Sequence, residues 1–412
     1  MNLIQLLWFM VWGGMFTGLY NVTDRMFQSP FAFFQGARAF LPLAAVYICL
    51  LLMILYRIKL PPVSSSVGLF FYYCLVGLVV SLLSPKMWTA LYWGGLYLAP
   101  LLVVWVSCER DGPLKTLRSL IHINYFVAMA IIASLTPQAI AIARGAKPYS
   151  SYYDLALGLG QVTKNGVGRF AVIVILVTLV RILNTSKIKR YLLLLLLLPA
   201  GYLLMQTQSR TALLGLAVMS CMFVFLKGLK WQFILAGPAA AYVIWISGFK
   251  WRAQANLSML LDLTGREFTW KQALDQVASS PFLGWGFHSD RILLEFQHMH
   301  NSYLHALIHS GIVGLFLFAG AWIAVWIVLM KKGVIHAIRE KSGKDQAMLI
   351  ESILIVGVLT SRSLFESTAA FYGVDLLFLL PAVAYLTVWV RQFYARKEET
   401  CASAHSYNVL SA

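Results

Sequence analysis

The chain has 412 residues, of which 60% are hydrophobic and 12% charged, and its formal net charge is +17. A soluble domain carries about twice that charged fraction, so a water-soluble globule would need a large core with almost no surface. The positive balance does not single out nucleic acid. Much of it lies in short loops between apolar runs, where it sets membrane orientation.

Apolar runs fall near 3–20, 31–56, 67–83, 88–107, 120–142, 170–183, 191–208, 211–229, 231–248, 306–330, 348–370 and 373–390. They predict an all-α, polytopic integral membrane protein of about twelve transmembrane helices. Met1 to Tyr20 lacks a basic n-region and a small-residue cleavage site, and reads as a first span. The run 170–183 is short and reads as tilted or only partly embedded. Placing both termini inside puts Arg57, Lys59, Lys187, Lys189, Arg190, Lys331, Lys332 and Arg391 in inner loops, as the positive-inside rule requires. Cys49, Cys74 and Cys221 then lie within spans and Cys108 and Cys401 inside, with no CxxC pair and no cysteine facing an oxidising compartment.

The organisation this predicts is nine transmembrane helices over 1–248 with an outer segment at 143–168, a large outer loop with helices over 249–305, three further transmembrane helices over 306–395, and an inner tail over 396–412. The tail from Arg396 is polar and aperiodic and reads as disordered, with His405 inert. Inner loops leave no room for an ATPase domain and no Walker motif is present, which argues against an ATP-driven pump. No internal repeat stands out, which disfavours repeat-built transporters.

Charge inside a bilayer is costly, so its position is informative. Arg38 sits in the second run and either snorkels or pairs. On the outer side, Arg144, Lys147, Lys164, Arg169, Arg210, Arg266 and Arg362 belong to a basic set that outnumbers the carboxylates there. An anionic substrate at the outer leaflet explains that excess; lipid phosphates are the competing explanation. Arg210 is pinned by the short loop Gln206–Thr211, where two helices emerge.

In the large loop, Thr264 and Glu267 have capping-box spacing, and Trp270, Ala273, Leu274, Val277 and Ala278 recur with helical period. A surface helix is predicted there, its N-terminal amides and Arg266 forming an anion site. Pro281 ends it and Gly284-Trp285-Gly286 makes a turn. A histidine cluster follows: His288, His298, His300, His305 and His309. His305 and His309 have the i, i+4 spacing of a zinc pair, but no glutamate follows His305 as in HExxH and no cysteine is near. Packing suits His288 and His309, and His300 is the best placed for general base work at the membrane surface.

At these residues the sequence resembles the O-antigen ligase family, which shares a domain with O-antigen polymerases. The signature His, then Asn, nine residues, Gly, two residues, Gly reads here as His300-Asn301 through Gly311 and Gly314. Also similar are Gln208-Ser209-Arg210-Thr211, Thr264-Gly265-Arg266 with Trp270, and Pro281 to Gly286, so the likeness covers mainly residues 200–320. The resemblance implies a GT-C-type glycosyltransferase with a helical periplasmic cap in a Gram-negative inner membrane. It implies a donor, an O-antigen glycan on undecaprenyl diphosphate, and an acceptor, lipid A–core oligosaccharide, with no metal, no cofactor and no ATP. It implies that His300, Arg266 and Arg210 are the catalytic residues. Arg144, Lys147, Lys164, Arg169, Trp270, His298, Asn301, Tyr303 and Arg362 are expected to bind substrate. Polymerase, protein O-oligosaccharyltransferase and lipid-linked glycan transporter remain alternatives.

Overall fold

The structure is a computed structural model and describes residues 2–16, 32–144, 155–157, 160–162, 164–207, 209–228, 266–295, 299–341 and 343–410. The described residues are helical apart from loops and one hairpin, in which strand β1 (Leu155–Leu157) pairs antiparallel with β2 (Gly160–Val162). Among the described residues, eight helices are long and apolar enough to cross a membrane. The bundle exposes Leu192, Leu195 and Leu198 along one helix, a face that suits lipid and not water. The chain is a polytopic, membrane-embedded protein.

The expectation of about twelve spans is met only in part. Helices α1 (Leu3–Phe16), α2 (Ala32–Leu55) and α3 (Ser66–Ser81) coincide with the first three runs. Over their described lengths these three count as shorter apolar helices. A 16-residue helix such as α3 rises about 24 Å against a hydrocarbon core of about 30 Å. The run 231–248 lies outside the described residues. The eight longer helices begin with α4 (Met87–Glu109), α5 (Pro113–Ala143), α6 (Lys164–Leu183), α7 (Lys187–Thr207) and α8 (Arg210–Lys227). Two short helices, α9 (Arg266–Ala278) and α10 (Ser289–Leu293), precede α11 (Ser302–Met330), and α12 (Val334–Glu340) leads to α13 (Gly343–Ser363) and α14 (Val374–Leu410).

Three boundaries differ from expectation. Helix α6 starts at Lys164, so the run that looked short is a full 20-residue helix; its first two turns carry Asn165 and Arg169, which a search for apolar residues passes over. Helix α14 continues through the tail to Leu410, in place of the disorder expected from Arg396. Lys397, Glu398, Glu399 and alanines are good helix formers, and a helix already nucleated in the bundle extends through them cheaply. The run 348–370 leaves the helix after Ser363, and residues 364–373 form an irregular segment. Two buried tyrosines pin it: Tyr73 donates to the Ala370 carbonyl and Tyr97 to the Ala369 carbonyl, each at 2.8 Å.

Polar side chains lock the apolar helices together. Asn124 of α5 accepts from the indoles of Trp8 and Trp12 of α1 at 2.8 Å each and donates to the Leu377 carbonyl of α14 at 2.7 Å. At the end of the bundle opposite α9, Arg181 makes a two-pronged pair with the buried Glu351 at 2.8 and 2.9 Å and lies over the Tyr125 ring. Arg181 lies in the last turn of α6, at the end of the run 170–183. Its long guanidinium reaches back into the bundle, where pairing offsets its desolvation.

Helix α11 is broken at Ser310 and Gly311, where Gly311 takes a φ of +59°. Segment 281–286 braces the break: Trp285 and Gly286 amides donate to the Ile308 and His309 carbonyls at 2.8 and 2.9 Å, and the Ile312 amide donates to the Pro281 carbonyl at 2.9 Å. A Cβ at Gly311 would run into the Phe282 carbonyl in a backbone region that disfavours side chains. Gly311→Ala is therefore expected to cost about 2 kcal/mol or more and to lower the melting temperature in detergent by several degrees. Gly320→Ala in the same helix, whose Cβ would meet only Leu69 Cδ1 at 3.6 Å, should leave it unchanged.

Candidate active site

The residues singled out by motif converge on a carboxylate that the motifs do not contain. Glu366 sits in the irregular segment after α13 and is 8% exposed. Its Oε2 meets His300 Nδ1 at 3.1 Å, and its Oε1 accepts from Arg266 Nη2 at 3.3 Å and Asn165 Nδ2 at 2.7 Å. Arg266 also donates through Nη1 to the Phe365 carbonyl at 2.7 Å. Ser302 Oγ donates to the Glu366 carbonyl at 2.8 Å and accepts from the Thr368 amide at 2.7 Å. Four parts of the chain thus meet at one side chain: the starts of α6, α9 and α11 and the segment after α13.

Local sequence explains each arm. Arg266 is the first described residue of α9, so its side chain stands at the helix start, as expected from the capping spacing; Thr264 and Gly265 lie outside the described residues. Asn301 caps α11, its Oδ1 accepting from the Tyr303 and Leu304 amides at 2.9 and 3.0 Å, while its Nδ2 donates to the Leu364 carbonyl at 3.1 Å. That cap fixes the start of α11, and His300 just before it adopts a φ of +49°. Such a conformation is uncommon for a residue with a side chain and costs of order 1 kcal/mol. Trp270 ties α9 to the same stretch by donating to the Met299 carbonyl at 2.7 Å.

Burial alone would push the Glu366 carboxyl upward. The hydrogen bond from His300 and the charges of Arg362, His300 and Arg266 outweigh it and hold the group below the ordinary glutamate range. Glu366 is therefore ionised at neutral pH and can only accept hydrogen bonds.

The other expected residues are distributed around this centre. Arg210, the first residue of α8, is exposed and is flanked by Ser209, which donates to Asn165 Oδ1 at 2.9 Å, and by Thr211, to which Arg362 donates at 3.5 Å. Arg362 is buried. Arg169 pairs with Asp375 at 2.9 Å and lies over the Phe170 ring. Tyr303 meets Ser363 Oγ at 3.3 Å and packs edge-on against Phe318. Arg144 is exposed beside a groove of about 540 Å³ lined by Thr136, Ile140, Leu198, Pro199 and Tyr202. Lys147 and His298, and the side chain of Lys164, lie outside the described residues, as does the side chain of Arg38.

Sequence reasoning missed Glu366 as a site residue, along with Asn165 and Asp375. Glu366 stood among the outer carboxylates, inside an apolar run assigned to a span. A carboxylate in such a run is itself a signal. The remaining histidines behave differently. His288 stacks on Trp93 with centroids 4.8 Å apart, and His305 and His309 turn inward toward Asp290. Among the described residues, Asp290, His305 and His309 are the group whose donor atoms converge as metal ligands would, within 4.8 Å of one another.

Residues 192–319 match the family model described as O-antigen ligase. The match spans Arg210, Arg266 and the His300–Gly314 signature, so the resemblance read from those motifs holds over that stretch, which is similar to the O-antigen ligase family. Asn165 and Glu366 lie outside the matched stretch. No curated protein matches the chain.

Because Glu366 titrates below its unfolded value, its contribution to stability is complete above the ordinary glutamate range. It is lost as pH falls through the folded value. Glu366→Gln should reduce stability at neutral pH by roughly 3 kcal/mol, the usual cost of breaking a buried ion pair. On acidification below the glutamate range, the wild-type melting temperature should fall more steeply than that of the variant. Parallel pH profiles would remove Glu366 as the source.

Proposed function

We propose that this chain, premised on the similarity of residues 192–319 to the O-antigen ligase family, is a glycosyltransferase that moves a glycan from undecaprenyl diphosphate to a hydroxyl of lipid A–core oligosaccharide. The carrying observation is the pairing of His300 and Arg266 through one ionised carboxylate at an end of a membrane bundle. We place that end at the periplasmic face of a Gram-negative inner membrane, with both termini cytoplasmic, because the basic loops Lys187–Arg190 and Lys331–Lys332 then lie inside. The bundle is read as GT-C type, with α9 and α10 belonging to its periplasmic cap.

The geometry supports the following chemistry. An ionised carboxylate has no proton to give, so His300 donates from Nδ1 and keeps a lone pair on Nε2. Nε2 takes the proton of the acceptor hydroxyl as its oxygen bonds to the anomeric carbon. The bond from that carbon to the diphosphate oxygen breaks, with inversion, and the diphosphate leaves. Arg266 and Arg210 stabilise the growing charge by charge-assisted hydrogen bonds. Arg266 uses Nη1 and Nη2 toward Phe365 and Glu366, and a guanidinium has five N–H donors in all for a diphosphate to draw on. Glu366 acts through His300 and is a positioning residue. The apolar groove beside Arg144 suits a polyprenyl chain with its charged head at the mouth. Arg169, Lys147 and Lys164 bind diphosphate or the phosphorylated acceptor, and Trp270, His298, Asn301, Tyr303 and Arg362 shape the site around His300.

The donor is already activated, so transfer should proceed without added metal or nucleotide. Purified protein given a lipid-linked glycan and lipid A–core should make the ligated product; product only with a second lipid-linked glycan would mean a polymerase. An acceptor peptide gives the same separation from a protein O-oligosaccharyltransferase. Failure to form product with any of these acceptors would overturn the enzyme reading. It would favour a lipid-linked glycan transporter, for which the Arg181–Glu351 pair between helices would be the natural coupling element. Lysine cannot reproduce the planar two-pronged grip of arginine. Arg266→Lys should therefore lose most activity while inserting normally, and near-normal transfer would remove Arg266 from the diphosphate site. His300→Ala should abolish transfer; retained turnover would move the base to another group.

A further inference from the structure

A second buried polar cluster joins the loop after α9 to the first turns of α11. Asp290 is 2% exposed, and His305 and His309 are each 1% exposed. The two histidines are one helical turn apart, so their rings project from the same face of α11. His309 Nε2 lies 3.2 Å from Asp290 Oδ1, and His305 Nε2 lies 3.7 Å from Asp290 Oδ2. Asp290 Oδ2 is shut from solvent and accepts no hydrogen bond among the described residues, with Arg291 Nε 3.5 Å away as its ion-pair neighbour.

The Tyr73 hydroxyl gives its one proton to the Ala370 carbonyl at 2.8 Å. The same oxygen lies 3.4 Å from His309 Nδ1, and the tautomer of His309 decides which of its two ring nitrogens donates. In the tautomer that donates from Nδ1 to Tyr73, Nε2 turns a lone pair toward the Asp290 carboxylate, and a cation between the two removes their repulsion.

We propose that Asp290, His305 and His309 bind a divalent transition-metal ion of the zinc class, which ties the loop after α9 to α11. Two imidazoles and one carboxylate are a donor set for zinc and its neighbours, whereas calcium and magnesium take oxygen ligands. Tetrahedral bonds of about 2.0–2.1 Å place ligand atoms roughly 3.3 Å apart; here the three donor atoms lie within 4.8 Å of one another, so ion binding would draw the two imidazoles and the carboxylate together. Water would complete the coordination. The ion would sit immediately before the Ser310–Gly311 break, on the histidine whose carbonyl receives the Gly286 amide. Its role is structural, and it does not depend on the glycan-transfer reading.

The test uses the full chain purified in detergent through a histidine-free tag. Elemental analysis should find near-stoichiometric zinc. Dialysis against a chelator should lower the melting temperature by several degrees, and added zinc should restore it. Cobalt(II) added to the stripped protein should give the visible absorption of a tetrahedral site, abolished by zinc. In His305→Gln and Asp290→Asn the metal content should fall to background and the response to zinc should vanish. Should these variants fail to fold, the wild-type stripping and cobalt measurements decide alone. A wild type without bound metal, whose melting is unmoved by zinc, would overturn the proposal and leave a proton as the shared cation. Equal metal in wild type and folded His305→Gln would also overturn it, assigning the ion to an exposed pair such as His336–Glu340.

Discussion

A single buried carboxylate, shared by an arginine, a histidine and an asparagine from different parts of the chain, organises this end of the bundle. Glu366 is costly to desolvate alone. With Arg266 and His300 against its oxygens and Asn165 beside them, it stays ionised and holds both functional side chains in place. Each partner is set at the start of its helix, so the carboxylate also fixes how α6, α9 and α11 begin relative to one another. The same ionisation selects the His300 tautomer. A feature that looks structural thereby determines what the imidazole can do chemically.

The bundle around it is built to place that one residue. Glu366 could not occupy its position were α13 to continue as a helix to residue 370. The chain instead leaves the helix after Ser363, and Tyr73 and Tyr97 hold the irregular segment by its carbonyls. Irregular backbone near a bilayer is tolerated where protein satisfies its polar groups, and these tyrosines, with Ser302, do so. The break in α11 follows the same logic. Its freed carbonyls are taken by the amides of Trp285 and Gly286, which dock the loop between α9 and α11 onto the bundle. Gly311 of the signature thus serves backbone approach, while its histidine meets Glu366.

Buried charge is paired at both ends of the bundle. At the Glu366 end Arg169 pairs with Asp375 and Arg266 with Glu366, while Arg210 stands exposed at the start of α8. At the opposite end Arg181 and Glu351 neutralise each other between helices.

Much of this was legible in the sequence. Long apolar runs fixed the membrane class and most helix positions, because burying backbone in lipid demands helices of known length. The short-range motifs placed the start of α9 near Arg266 and singled out His300 and Asn301, since capping and turn chemistry act over three or four residues. What only the tertiary structure decided is long-range. Glu366 lies 66 residues from His300 and 201 from Asn165, and no local pattern encodes such a meeting. The same holds for His305 and His309, whose spacing was visible while their partner Asp290, reached through a loop, was not. Apolar periodicity reports where a helix can exist. Which polar side chains face one another inside the bundle depends on how the helices pack, and that is settled only when the buried charges have found partners.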